Sequence, residues 1–152
     1  MSKLGVVEES WKFIDIFSLD DDMLAFVPEP VISLLFLYPL ETSIENASLG
    51  VKDNSSNVVL IKQTVGNACG TIAILHAIAP NAESKTNLHF VCFVEHDGSL
   101  YELDGRKNAP VLHGSITTAG FLKDACNVVK KFITCLPGSV EFSLMGLCSD
   151  NN

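Results

Sequence analysis

Leu88-His89-Phe90-Val91-Cys92-Phe93-Val94-Glu95-His96-Asp97-Gly98-Ser99-Leu100-Tyr101-Glu102-Leu103-Asp104 reads as one β-hairpin. Asp-Gly between two apolar runs is a strong turn signal. The tight hairpin turn needs positive φ at both central residues, which glycine adopts freely and aspartate tolerates. With Asp97 and Gly98 as the turn, His96 faces Ser99 and Val91 faces Asp104. His89 lies two residues from Val91 and shares its face. His89 and Asp104 are then diagonal neighbours, about 7–8 Å apart between backbones, within reach of an imidazole and a carboxylate. A small bulge would tighten the gap, and a one-residue slip would put the pair on opposite faces. A histidine held by a carboxylate has a fixed tautomer and is ready to take a proton from a thiol.

That thiol is expected upstream. Gln63-Thr64-Val65-Gly66-Asn67-Ala68-Cys69-Gly70-Thr71 is a polar, Gly-punctuated turn opening onto Ile72-Ala73-Ile74-Leu75-His76-Ala77-Ile78-Ala79. The run predicts a helix over 69–79, apolar on nearly every side and therefore buried. Cys69 sits in its first turn, where unpaired backbone N–H groups carry partial positive charge and favour thiolate over thiol. Gln63 offers a side-chain amide donor. Nucleophile, helix dipole and amide are the components of acyl transfer through a thioester.

The rest of the chain frames this pair of elements. Asp20-Asp21-Asp22 before Met23-Leu24-Ala25-Phe26-Val27 predicts a capped short helix, stopped by Pro28 and Pro30. Residues 31–38, apolar but for Ser33, predict a central strand buried on both faces. Residues 41–57 read as polar loop, and 58–62 as a second strand leading to Gln63. Residues 80–87 read as loop. Over 118–135, Phe121, Leu122, Ala125, Val128, Val129 and Phe132 form one helical stripe, with Lys130 and Lys131 near the negative end. Residues 139–147 predict a last strand. The reading is one domain over 1–152, of the α+β class: a mostly antiparallel central sheet, flanking helices and a buried cysteine-bearing helix. Helix-borne cysteine with sheet-borne histidine is the papain-like arrangement.

Composition narrows the function. A hydrophobic fraction of 47% against 18% charged residues supports a real core. A net charge of −8 argues against nucleic acid as partner. Five cysteines, an odd number without regular spacing, argue against a disulfide framework and for a reduced compartment, the cytoplasm or the nucleus. The apolar run 31–38 is far short of the ~20 residues of a membrane helix, so no membrane partner is expected. Cys92, Cys126, Cys135 and Cys148 read as buried hydrophobes. His76 reads as core, His96 as a hairpin residue and His113, before Gly114, as a loop residue. A zinc site from Cys126, Cys135, Cys148 and His113 lacks short paired spacing.

Taken in order, these motifs resemble those of the ubiquitin carboxyl-terminal hydrolase family of thiol proteases. The resemblance rests on Gln63, Asn67-Ala68-Cys69-Gly70-Thr71, Leu75-His76-Ala77, Leu88-His89-Phe90 and Leu100-Tyr101-Glu102-Leu103-Asp104-Gly105-Arg106-Lys107. His113-Gly114 and Val27-Pro28-Glu29-Pro30-Val31 fit it too. It implies Cys69 as nucleophile, His89 as general base and then acid, and Asp104 as the residue orienting His89. The Gln63 side chain and the Cys69 backbone N–H would form the oxyanion hole. The implied reaction is hydrolysis of amides, esters or thioesters at the C-terminal glycine of ubiquitin or a ubiquitin-like modifier, without metal or cofactor.

Two departures bear on that expectation. Relatives in this family carry several tens of residues between cysteine helix and histidine strand, and a longer N-terminus; here residues 80–88 alone make the link. An 11-residue helix carries the chain about 16 Å away, and nine extended residues span up to ~30 Å, so the link can return to His89. Cover for Ile72, Ile74, Leu75 and Ile78 is the greater demand. Exposing each costs roughly 1.5–3 kcal/mol, against a total stability of about 5–15. Marginal stability, or self-association through exposed apolar surface, is the expectation. The alternative reading is a catalytically weak ubiquitin-binding protein or a truncated isoform.

Overall fold

The computed structural model describes residues 11–47, 49–58, 60, 62–63 and 88–149. Cys69 and the expected helix over 69–79 lie outside the described residues, as does the link over 80–87. The described elements run β1 (Trp11–Asp15), α1 (Asp21–Leu24), β2 (Val31–Pro39), α2 (Thr42–Asn46), β3 (Val51–Lys52), β4 (Leu88–His96), β5 (Ser99–Leu103), β6 (Val111–Ser115), α3 (Phe121–Thr134) and β7 (Ser143–Ser149). The strands form one seven-stranded sheet in the order β1-β7-β2-β4-β5-β6-β3. Every pairing in it is antiparallel. Among the described residues no helix is long and apolar enough to cross a membrane.

The hairpin forms in the register its turn dictates. Asp97 (φ 47°) and Gly98 (φ 70°) both take positive φ, and the ladder runs from His96 opposite Ser99 to Cys92 opposite Leu103. Continued by one pair, it sets Val91 opposite Asp104. On the other side β4 pairs with β2, placing Phe36 opposite Val91 and Tyr38 opposite His89. Side chains alternate across a strand, so Leu34, Phe36, Tyr38, His89, Val91, Phe93, Leu100, Glu102 and Asp104 share one face.

Helix α3 covers that face. Its stripe is the expected one with Cys126 added: Phe121, Leu122, Ala125, Cys126, Val128, Val129 and Phe132 are buried. Phe132 meets the rings of Phe36 (5.8 Å) and Tyr38 (5.2 Å). Each large side chain so buried contributes roughly 1.5–3 kcal/mol. The helix starts three residues later than periodicity predicts. Asp124 takes the Thr117 N–H (2.6 Å) and hydroxyl (2.8 Å), and this knot holds 117–120 outside the helix. On the opposite face Leu35 and Cys92 are buried among Phe13, Phe90, Val94, Leu103 and Met145.

Five expectations need correction. The last strand is Ser143–Ser149 rather than 139–147. The short acidic helix spans only Asp21–Leu24, and Asp20 caps it without a side-chain hydrogen bond. Residues 41–57 are not all loop: they hold α2 and β3. The described residues of 58–62 join no ladder; Lys62 instead reaches Asn108 Oδ1 through its Nζ (2.7 Å). His113 lies in a strand, β6, rather than a loop.

Candidate active site

His89 is the second residue of β4 and is 2% exposed. Its ring stands edge-on to Tyr38 at 5.6 Å, and Tyr38 is itself wedged against Phe132. The imidazole is therefore fixed by packing. Asp104 follows β5 directly and is 5% exposed. Its Oδ1 lies 2.8 Å from His89 Nε2, so the diagonal neighbours meet as the hairpin register requires.

The protonation of the pair follows from the surroundings of Asp104. Burial pushes its carboxyl up. The hydrogen bond and charge of His89, the Arg106 backbone N–H and the Lys107 charge outweigh that, leaving it below the ordinary carboxylate value. Asp104 is thus a carboxylate at neutral pH and accepts. His89 Nε2–H donates, and Nδ1 is the ring atom that can exchange a proton with a thiol.

A tight turn over 104–107 links Asp104 to Gln63. The Lys107 N–H donates to the Asp104 carbonyl (2.9 Å), and the Arg106 N–H donates to Asp104 Oδ1 (2.9 Å). Between them the Gly105 carbonyl accepts the Gln63 backbone N–H (2.8 Å). Of the four residues singled out from sequence, His89 and Asp104 touch, Gln63 hangs from the turn beside them, and Cys69 lies outside the described residues.

Sequence reasoning passed over a second buried polar group on this face. Glu102 is fully buried, with Oε1 on Lys107 Nζ and Oε2 2.8 Å from His113 Nε2. The signal was available: Glu102 stands two residues before Asp104 and must share its covered face.

Two of the described thiols are poor nucleophiles. Burial pushes Cys92 up to about 12 and Cys126 up to about 11. Among the described residues no group of three or more His, Cys, Asp or Glu side chains is arranged to hold a metal ion.

Known proteins place this arrangement. The family profile of ubiquitin carboxyl-terminal hydrolase, family 1, matches residues 1–84 and again 77–134. The ubiquitin carboxyl-terminal hydrolase 3 of Arabidopsis thaliana is 33% identical over 201 residues, covering 95% of this chain and 86% of that protein. The human isozyme L1 is 32% identical, covering 97% and 92%. Both alignments are longer than the chain's own 152 residues, so each relative carries residues inside the matched span that this chain lacks. The catalytic domain of Trichinella spiralis UCH37, bound to ubiquitin vinyl methyl ester, superposes with a TM-score of 0.71 at 19% identity, covering 93% of this chain and 86% of that one. The α+β fold is thus the papain-like one of that domain. Profile, relatives and fold agree, and the chain belongs to the ubiquitin carboxyl-terminal hydrolase family of cysteine peptidases.

Proposed function

We propose that this chain is a deubiquitinating thiol hydrolase, cleaving amide, ester or thioester bonds at the C-terminal glycine of ubiquitin. The buried His89–Asp104 pair carries the reading, tied through one turn to the strand of chain that bears Gln63. In this reading His89 Nδ1 takes the proton of the Cys69 thiol, and the thiolate attacks the glycine carbonyl carbon. The Gln63 side-chain amide and the Cys69 backbone N–H hold the oxyanion. As the intermediate collapses, the protonated imidazole gives its proton to the leaving group and a thioester remains. Water, deprotonated by His89, attacks the thioester carbonyl and expels the thiolate, which regains its proton. Asp104 stays ionised throughout, holding the tautomer and stabilising the imidazolium.

The ubiquitin tail ends in glycines, which pass where side chains cannot, and this suits a narrow cleft. Hydrolysis of a C-terminal fluorogenic ubiquitin ester tests the reading, with Cys69→Ala as control. Turnover that vanishes in the control supports it. The span missing relative to kin favours one second reading, ubiquitin binding with slow turnover; a folded chain that binds ubiquitin without hydrolysing the ester would establish that one instead.

A further inference from the structure

Glu102 is the most deeply buried charged side chain among the described residues, and the mechanism above gives it no part. Burying a carboxylate is costly unless it is paired on both oxygens, and here it is. One oxygen takes Lys107, five residues on across the turn; the other takes His113, brought in by β6. Every member is held. The Lys107 side chain is two-thirds covered. The His113 ring stands edge-on to Phe93 at 5.8 Å. Across from it Gly50 comes so close that an added Cβ would lie 3.0 Å from His113 Cε1.

The clamp closes on the turn over 104–107, from the residue before Asp104 on the same face to the last residue of the turn. Inside that span lie the two backbone groups that matter: the Arg106 N–H on the Asp104 carboxylate and the Gly105 carbonyl on Gln63. Opening the Glu102–Lys107 contact would loosen both at once. We propose that Glu102, Lys107 and His113 form a positioning cluster that locks this turn, and so sets the Asp104 carboxylate and the Gln63 backbone as one rigid unit; the proposal rests on the functional reading above.

The test is Lys107→Met, which keeps the apolar stem and removes the charged head, beside Lys107→Arg, which restores it. Lys107→Met leaves the buried Glu102 carboxylate paired on one oxygen only, which costs stability, so the assays are run at a temperature where circular dichroism shows the variant folded. On the ubiquitin ester, Lys107→Met should lower kcat by about tenfold or more with KM within about twofold, and Lys107→Arg should recover most of the loss. In parallel, the His89 imidazole N–H resonance of isotope-labelled protein should be sharp and slowly exchanging in the parent, broadened in Lys107→Met and restored in Lys107→Arg. A folded Lys107→Met with parental kcat and an unchanged resonance overturns the proposal. So does a fall in activity that only tracks a loss of folded protein. A parent without turnover counts against the hydrolase reading alone, and the resonance then decides the cluster's role by itself.

Discussion

His89 Nε2 and Asp104 Oδ1 lie 2.8 Å apart, both side chains all but sealed from water. The two residues are fifteen apart in sequence and meet because a two-residue turn fixes the register between them. With the carboxylate below its ordinary value, the imidazole has one available tautomer, protonated at Nε2.

Asp104→Leu breaks that assignment by removing the acceptor at nearly constant volume. With no acceptor left at Nε2, the imidazole is free to take the tautomer with its proton on Nδ1, the atom that must accept from the thiol. The expected loss is about 10³–10⁴ in kcat, with a small change in KM. Steady-state kinetics on the ubiquitin ester measure it; a loss under tenfold would remove Asp104 from its orienting role.

The same carboxylate links stability to pH. A folded-state value depressed below that of a free aspartate stabilises the protein above the free value, and the contribution is lost as pH falls through the folded value. The difference in urea midpoint between parent and Asp104→Asn should therefore shrink as pH falls below about 4, by this linkage. A difference that grows as pH falls below about 4 would contradict the assignment.

Thiol reactivity should be selective. Cys92 and Cys126 are raised by burial to about 12 and about 11, so the native protein at neutral pH should leave both unmodified by iodoacetamide while Cys69 reacts. Mass spectrometry of the digest reads the order. Modification of Cys92 or Cys126 ahead of Cys69 would mean that Cys69 is not the activated thiol.

Gly50 is held at φ +105°. A Cβ there would fall 2.6 Å from Val111 Cγ1 and 2.9 Å from the Leu112 carbonyl oxygen. Gly50→Ala should cost about 1–3 kcal/mol through strain and disturb β6. Denaturant unfolding measures the cost, and a neutral result would show that β3 and β6 can separate freely.

The parts of this fold that were legible in the sequence are those specified locally. Asp97-Gly98 sets its own turn and register, and the α3 stripe repeats within one helix. Strand β1 was invisible because it pairs with β7 at the far end of the chain, and nothing within Trp11–Asp15 announces that partner. The stretch over 58–62 carries a strand's composition, yet its described residues join no ladder; Lys62 and Gln63 are held instead by bonds to Asn108 and Gly105. His113 read as a loop residue because its role depends on Glu102, eleven residues back, reached across a strand pairing with a bulge. Gln63 was singled out for its side-chain amide, while its backbone bond to Gly105 depends on a turn more than forty residues away.

The most direct test of the account is covalent capture of Cys69 by ubiquitin carrying a C-terminal vinyl methyl ester, in the parent, Cys69→Ala and His89→Ala proteins. A single adduct on Cys69 is expected in the parent, none in Cys69→Ala and a strongly slowed adduct in His89→Ala. A parent that stays unmodified while folded, or an adduct that forms equally fast without His89, would contradict it.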